Sequence, residues 1–229
     1  MVASSGRIFY IHDNGPVSSV FLPPTWELVA RDAFSGVLLW KRPVGNWESQ
    51  LRGFRSGPPE IGRRLVYGGG RLYAALRYGG PVTVIDPASG DDRATLAGSE
   101  GARELLYAGG RVYLLADDMT AEDHEKRKEW FNTKAPTLRG YGFPKEPIPM
   151  YGTQRVVAFD AHSGKQLWCN RDDRAPGEIM PATIAVSGGR VCFQTTTDVI
   201  CLDADTGKQR WKTSRPVAVS RFSWVLSDR

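Results

Sequence analysis

The chain has 229 residues, 41% of them hydrophobic, enough to bury a core for one large domain or two small ones. Its 30 Lys and Arg against 25 Asp and Glu give a net charge of +5, spread along the chain without a block of five like charges, which is the pattern of an ordinary solvated surface and argues against nucleic-acid binding. No run approaches the ~18 continuous apolar residues of a membrane span, and three cysteines do not make a disulfide framework in a chain of this size.

The first residues, MVASSGRIFY, carry neither the basic nor the apolar region of a secretion signal, so an exported form would have its signal upstream of Met1. Gly6-Arg7-Ile8-Phe9 opens a β-rich run after a glycine turn, and Val29 to Trp40 (VARDAFSGVLLW) forms a second strand, a turn at Asp32 and Gly36, and an outgoing strand that ends in Trp40. A long connector follows, Gly45 to Gly62, holding Trp47, Arg52, Phe54 and Arg55. The same order then repeats: Arg63 to Tyr67, Gly70-Arg71-Leu72-Tyr73, and TVIDPASGDDRA with Asp86 and Gly90, where Ala94 takes the tryptophan's place.

A third unit runs from Glu104 to Tyr107 through Gly110-Arg111-Val112-Tyr113 to VAFDAHSGKQLW, with Asp160, Gly164 and Trp168. It is interrupted by a long insertion, 119–153. Thr120-Ala121-Glu122-Asp123 has the form of a helix-opening capping box, Ala121 to Phe131 is rich in helix formers, and Pro136 stops any continuation. Thr137 to Pro149 reads as an extended arm. A fourth unit comprises Thr183 to Val186, Gly189-Arg190-Val191-Cys192 and ICLDADTGKQRW, with Asp203, Gly207 and Trp211; Pro216 to Leu226 begins a further strand.

Four copies of Asp-x-x-[Ser/Thr]-Gly, three with Trp at Asp+8, decide the fold. The aspartate ending a strand accepts hydrogen bonds from backbone N–H groups two or three residues on, and the glycine takes the positive φ that closes a bulged hairpin. The tryptophan offers a large rigid surface whose one N–H needs a partner, which suits wedging between neighbouring sheets. Trp40, Trp168 and Trp211 are therefore expected at equivalent buried places between units, and Ala94 at a weaker contact. The four aspartates are 54, 74 and 43 residues apart; the shortest step matches a bare propeller blade of ~40 to 45 residues and the others carry insertions. The fold class expected is all-β: a partial β-propeller of four-stranded antiparallel blades at 1–44, 60–98, 101–170 and 180–213, with the start of a fifth at 214–229.

The element resembles the tryptophan-docking repeat of pyrroloquinoline-quinone-like (PQQ-like) propellers, a group that includes quinoprotein dehydrogenases and the propeller lipoprotein of the bacterial outer-membrane assembly machinery. The resemblance runs from Gly6 to Trp211 and concerns the blade edge, so it does not specify an activity. It implies a ring of about eight blades, of which this chain supplies four and a first strand. It also implies a compartment outside the cytoplasm, and partners that are either a protein or the remaining blades.

Strand alternation sorts the connections onto two faces. One face receives only tight turns; the other receives Asp13 to Thr25, Gly45 to Gly62, Met119 to Thr153 and Asn170 to Pro181. The second is the candidate binding face, because function collects on loops held by a rigid scaffold. Trp47, Arg52, Phe54, Arg55, Trp130, Phe131, Arg139, Tyr141 and Phe143 are its expected contact residues, since arginine with exposed aromatics makes binding hot spots; the competing reading packs these aromatics onto the propeller.

A non-catalytic scaffold that binds a protein partner or a small ligand through this face is the favoured function, with a quinoprotein-type dehydrogenase as the alternative. The resemblance implies, for that alternative, an adjacent cysteine pair and a Glu/Asn/Asp set around calcium, with PQQ as cofactor. The cysteines here are Cys169, Cys192 and Cys201, none adjacent. No catalytic, cofactor or metal residue is assigned: His12, His124 and His162 fall in no metal-ligand spacing, and Gly68-Gly69-Gly70 is a hairpin turn and not a phosphate loop. A two-residue turn at Thr196-Thr197 sets Cys192 opposite Cys201, as free thiols or as a cross-strand disulfide.

Overall fold

The computed structural model describes residues 1–18, 22, 24–45, 61–120, 122–123, 125–126, 129, 153–171, 179–180 and 182–214. Sixteen strands form four antiparallel sheets of four, each a simple meander. The first holds β1 (Val2–Ser4), β2 (Arg7–Asp13), β3 (Trp26–Asp32) and β4 (Leu38–Pro43). The second holds β5 (Leu65–Gly68), β6 (Arg71–Ala75), β7 (Val82–Ile85) and β8 (Asp92–Thr95). The third holds β9 (Ala102–Ala108), β10 (Arg111–Asp118), β11 (Thr153–Asp160) and β12 (Gln166–Arg171). The fourth holds β13 (Ala185–Ser187), β14 (Arg190–Gln194), β15 (Asp198–Asp203) and β16 (Gln209–Ser214).

The first strands of successive sheets, β1, β5, β9 and β13, lie beside one another, so the sheets are blades set radially in an open array. This position between neighbours explains the burial pattern. In β10 and β11 the central residues are buried without alternation, because both faces of the third sheet are covered. β8 and β16 are exposed throughout, as the outermost strands. The core divides into three clusters, one for each seam. Phe9, Leu28, Leu65 and Ile85 fill the first seam. Tyr73, Val82, Leu105 and Phe159 fill the second, and Tyr113, Trp168, Ile200 and Leu202 the third.

All four repeated turns have one construction. The aspartate's N–H donates across the turn to the residue at Asp+5, and the glycine N–H donates back to the aspartate carbonyl at 2.8 to 3.0 Å. The carboxylate accepts from within: Asp32 Oδ1 takes the Ser35 N–H and hydroxyl, both at 2.7 Å, and Asp160 Oδ1 does the same with Ser163. Asp203 Oδ1 accepts from the N–H groups of Asp205 and Thr206 and from the Thr206 hydroxyl. The strand register shifts beside each turn, between Ala30 and Arg31, Val84 and Ile85, Ala158 and Phe159, and Cys201 and Leu202 on the incoming strands. Gly36, Gly90, Gly164 and Gly207 all sit at φ between +69° and +82°, where a side chain would be strained.

The tryptophan of one blade lies on the turn of the next. Trp40 Nε1 donates to the Pro87 carbonyl at 3.1 Å, and Trp168 Nε1 to the Ala204 carbonyl at 3.0 Å; Pro87 and Ala204 are the residues just after Asp86 and Asp203. The glycine in each turn makes room for the ring: a Cβ on Gly90 would lie 2.8 Å from Trp40, and one on Gly207 2.5 Å from Trp168. The arginines that open the second strands reach the same place. Arg71 donates to the carbonyls of Ala161 and His162 at 3.1 and 2.9 Å, while Arg111 donates to the Ala204 carbonyl and pairs with Asp205. Where Ala94 replaces the tryptophan, the Tyr73 hydroxyl takes the Ala161 carbonyl at 2.8 Å and Leu96 packs toward Gly164.

Trp211 corrects the expectation of three equivalent buried rings: it is 44% exposed, whereas Trp168 is 8% exposed. Its strand geometry matches the others, but among the described residues no fifth turn follows for it to cover. Apart from Ser214, which ends β16, the expected fifth-blade start lies outside the described residues.

Replacing Trp168 by Ala removes both the ring and the donor at Ala204, so Trp168→Ala should lower unfolding stability by ~3 to 5 kcal/mol, read from denaturant midpoints. The turn carboxylates predict a pH response as well. Each is held below the ordinary value of 3.8: Asp32 and Asp160 first by backbone N–H groups of their own turns, and Asp86 first by Arg93. In Asp203 the Arg210 guanidinium leads, followed by Thr206, and the carboxyl is brought down to about 2. A carboxyl depressed by folding stabilises the native state fully above its unfolded value and loses that contribution as pH falls through its folded value. Asp203→Asn should thus melt below the parent protein at neutral pH, and the gap between the two melting temperatures should close between pH 3.8 and about pH 2.

Candidate binding face

The two rims of the array differ as strand alternation requires. On one rim lie the four Asp-to-Gly turns and the short links Ser4–Arg7, Gly68–Arg71, Ala108–Arg111 and Ser187–Arg190. His162 and Thr206 belong to this rim. On the other lie the links that follow β2, β4, β6, β8, β10, β12 and β14, including the long connection from Asp118 to Thr153. The nine expected contact residues, Trp47, Arg52, Phe54, Arg55, Trp130, Phe131, Arg139, Tyr141 and Phe143, all lie outside the described residues.

At the root of the long connection the described residues form a cleft with a volume of about 470 Å³. Gly79, Glu100 and Gly101 from the second blade's side face Asp117, Asp118, Met119, Thr120, Thr153, Arg155 and Arg171 of the third. The charges follow from register. β10 and β11 pair Asp117 with Gln154, Asp118 with Thr153 and Ala116 with Arg155, so acids end the incoming strand where an arginine begins the outgoing one. Asp118 meets Arg155 Nε at 2.9 Å and Arg171 at 3.1 Å. Arg155 also donates to the carbonyls of Gly98 and Glu100 at 3.0 and 2.8 Å, tying the interblade link to the sheet end. Asp117 pairs with Arg103 at 3.3 Å and accepts from Gln154 Nε2 at 3.2 Å, while Gln154 Oε1 holds the Ile179 N–H at 2.7 Å. Arg171 remains the most accessible cation, with about half its side chain exposed.

The capping box at the cleft's edge forms as its spacing predicts. Thr120 Oγ1 accepts from the Asp123 N–H at 3.1 Å, and Asp123 Oδ2 accepts from the Thr120 N–H and hydroxyl at 2.9 and 2.7 Å. Glu122, Asp123, Glu125, Lys126 and Glu129 are helical, with Lys126 paired to Glu122 one turn back at 2.6 Å. The chain therefore leaves the sheet as a charged helix start.

Nearer the array's centre, Glu104 on β9 is fully buried. It pairs with Arg63 at 3.4 Å and accepts from the Ala182 N–H, and Arg63 also donates to the Ile184 carbonyl at 2.8 Å. A buried carboxylate needs such partners, and here they come from the connectors into the second and fourth blades. Sequence inspection missed Glu104 and the cleft charges. The one available signal was the Asp117-Asp118 pair before the insertion with Arg155 just after it.

Cys192 and Cys201 stand opposite each other in register as free thiols, and Cys169 is exposed and free. Burial first, and the neighbouring Cys201 second, push the Cys192 thiol up to about 12. That shift holds it as a neutral thiol.

Comparison with known proteins agrees with the repeat. The family described as "Outer membrane protein assembly factor BamB" matches residues 152–221, the last strands of the third blade and all of the fourth. These are PQQ-like propeller repeats. A europium-containing methanol dehydrogenase superposes with a TM-score of 0.50 at 11% identity, covering 91% of this chain and 40% of that one. The acylaminoacyl peptidase of Pyrococcus horikoshii does so with a TM-score of 0.54 at 8% identity, covering 93% and 32%. At such identities the likeness is of fold alone, and the chain spans well under half the length of either protein. No curated protein matches the sequence.

The quinoprotein chemistry of part of this family calls for an adjacent cysteine pair and a convergent set of calcium ligands. The PQQ-like repeat here has no adjacent cysteines, and among the described residues no three His, Cys, Asp or Glu side chains gather as a metal site. None of the described helical residues belongs to a helix long and apolar enough to cross a membrane.

Proposed function

We propose that the chain is a non-catalytic propeller scaffold that holds a protein partner on its long-connection rim. The observation that carries this reading is the contrast between the rims: one is closed by four near-identical turns, while the other bears the cleft of about 470 Å³ at the root of the 119–153 insertion. Arg171 and Asp118 there are charged, partly accessible and fixed by their pairing, which suits polar groups of a protein surface. The arginines and aromatics expected as contacts, from Trp47 to Arg55 and from Trp130 to Phe143, lie outside the described residues; in this reading they enlarge the contact. The matched family is described as an assembly factor, and assembly is work done by protein contact. The compartment proposed with it, outside the cytoplasm, rests on the resemblance of the repeat.

Photo-crosslinking residues placed singly at Arg171 and at Thr206 test the reading directly. The Arg171 site should give a discrete protein adduct in the native host and the Thr206 site none. With the captured protein purified, Arg171→Glu should weaken binding about tenfold or more and leave the melting temperature unchanged. Equal adducts from both rims would overturn the proposal. So would dye reduction by the chain supplied with PQQ, calcium and an alcohol, which would favour the dehydrogenase instead.

A further inference from the structure

The fourth blade departs from the other three at one pair of facing residues. In each of the first three, the second residue after the strand-opening arginine is aromatic and stands opposite a small or branched apolar residue of the next strand. Phe9 faces Ala30, Tyr73 faces Val84 and Tyr113 faces Ala158. In the fourth blade both members are cysteine, Cys192 facing Cys201. The blade forgoes the contact area of an aromatic ring, and the position holds two sulfurs instead.

The register decides how close those sulfurs can come. The Ala204 N–H donates to the Gly189 carbonyl at 3.0 Å and the Thr195 N–H to the Asp198 carbonyl at 2.8 Å, one pair at each end of the β14–β15 ladder. The pairing between them runs without a shift, so hydrogen-bonded pairs recur at every second residue, at Val191/Leu202 and Phe193/Ile200. Cys192/Cys201 falls between these, at a non-hydrogen-bonded position. There the facing Cα atoms lie about 4.5 Å apart and both side chains leave the same face of the sheet. A disulfide spans Cα separations of roughly 4.4 to 6.8 Å, so the backbone already stands where the bond needs it. Cys201 is buried and Cys192 is partly accessible, whereas Cys169 lies on β12 of the third blade.

We propose that Cys192 and Cys201 are a redox pair that closes to a cross-strand disulfide, clipping β14 to β15 within the fourth blade. The oxidant is a small disulfide of the glutathione type. The Cys192 sulfur, as thiolate, attacks it to form a mixed disulfide and releases one thiolate. The Cys201 sulfur then attacks Cys192 Sγ, forming the internal bond and releasing the second. The two protons of the cysteine thiols end on the two released thiols, and the two electrons pass to the oxidant. The raised Cys192 thiol makes the first attack slow without changing where the exchange ends. The pair belongs to the fourth blade's hairpin, and the inference stands whether or not the long-connection rim holds a partner.

The test brings the full chain to equilibrium in buffers of reduced and oxidised glutathione, quenches with acid, alkylates the remaining thiols and maps them by mass spectrometry. Of the three thiols one should remain, Cys169. The tryptic peptide from Val191 to Lys208 should be two hydrogens lighter, and a further cut after Phe193 should leave its halves joined until reduction. Because the folded register holds the sulfurs together, the bond should survive at a ratio of reduced glutathione squared to oxidised glutathione at least about tenfold higher than in the urea-unfolded chain. Cys169→Ser should leave that midpoint unchanged, and Cys201→Ser should abolish the lighter peptide. Three alkylated thiols at every ratio, bonds that involve Cys169, or a folded chain reduced as readily as the unfolded one would overturn the proposal.

Discussion

The carbonyl that follows each turn aspartate is the point on which the array depends. Pro87, Ala161 and Ala204 turn this oxygen toward the preceding blade, and each receives at least one donor from it. The aspartate's role is indirect. Accepting the turn's own N–H groups, it holds the loop in a shape that points the next carbonyl outward, while the glycine leaves space for the ring that arrives there. Tryptophan suits the task because one side chain provides both area and a donor. The seam between the second and third blades uses another solution for the same acceptor, with tyrosine and arginine supplying the donors and Leu96 the apolar contact.

Because that contact lies on one rim, the two ends of the blades are free to differ. The turn rim is committed to structure, and its residues are hydrogen-bonded to their own loop or to the next blade. The opposite rim has no such repeated duty. There the strand ends carry individual charges, and these are held in place by the sheets beneath them: Arg155 is anchored to two backbone carbonyls and Gln154 to the Ile179 amide. A rim of fixed charges above rigid strands loses little entropy when it binds, which is the physical case for a scaffold.

The first and fourth blades differ from the inner two in their outward flanks, where an apolar turn and an uncovered tryptophan face in opposite directions around the array. The joint, not the individual blade, is the unit of stability in this architecture, so flanks and seams belong to one physical description.

The sequence alone determined the blades. A turn motif is a local object, dictated by backbone geometry over five residues and, in three copies, by a tryptophan four further on, so its four copies gave the strand order, the bulges and the sorting of connections onto two rims. The capping box at Thr120 and the facing of Cys192 and Cys201 were legible for the same reason, since each depends on residues three to nine apart. Three things were decided only by tertiary structure. The exposure of Trp211 depends on whether a neighbour's turn is there to receive it, and nothing in the motif records that. The roles of Arg71 and Arg111 depend on atoms some 90 residues away. The cleft charges and buried Glu104 meet across different blades, and a pairing of that kind is set by how the sheets pack and not by spacing along the chain.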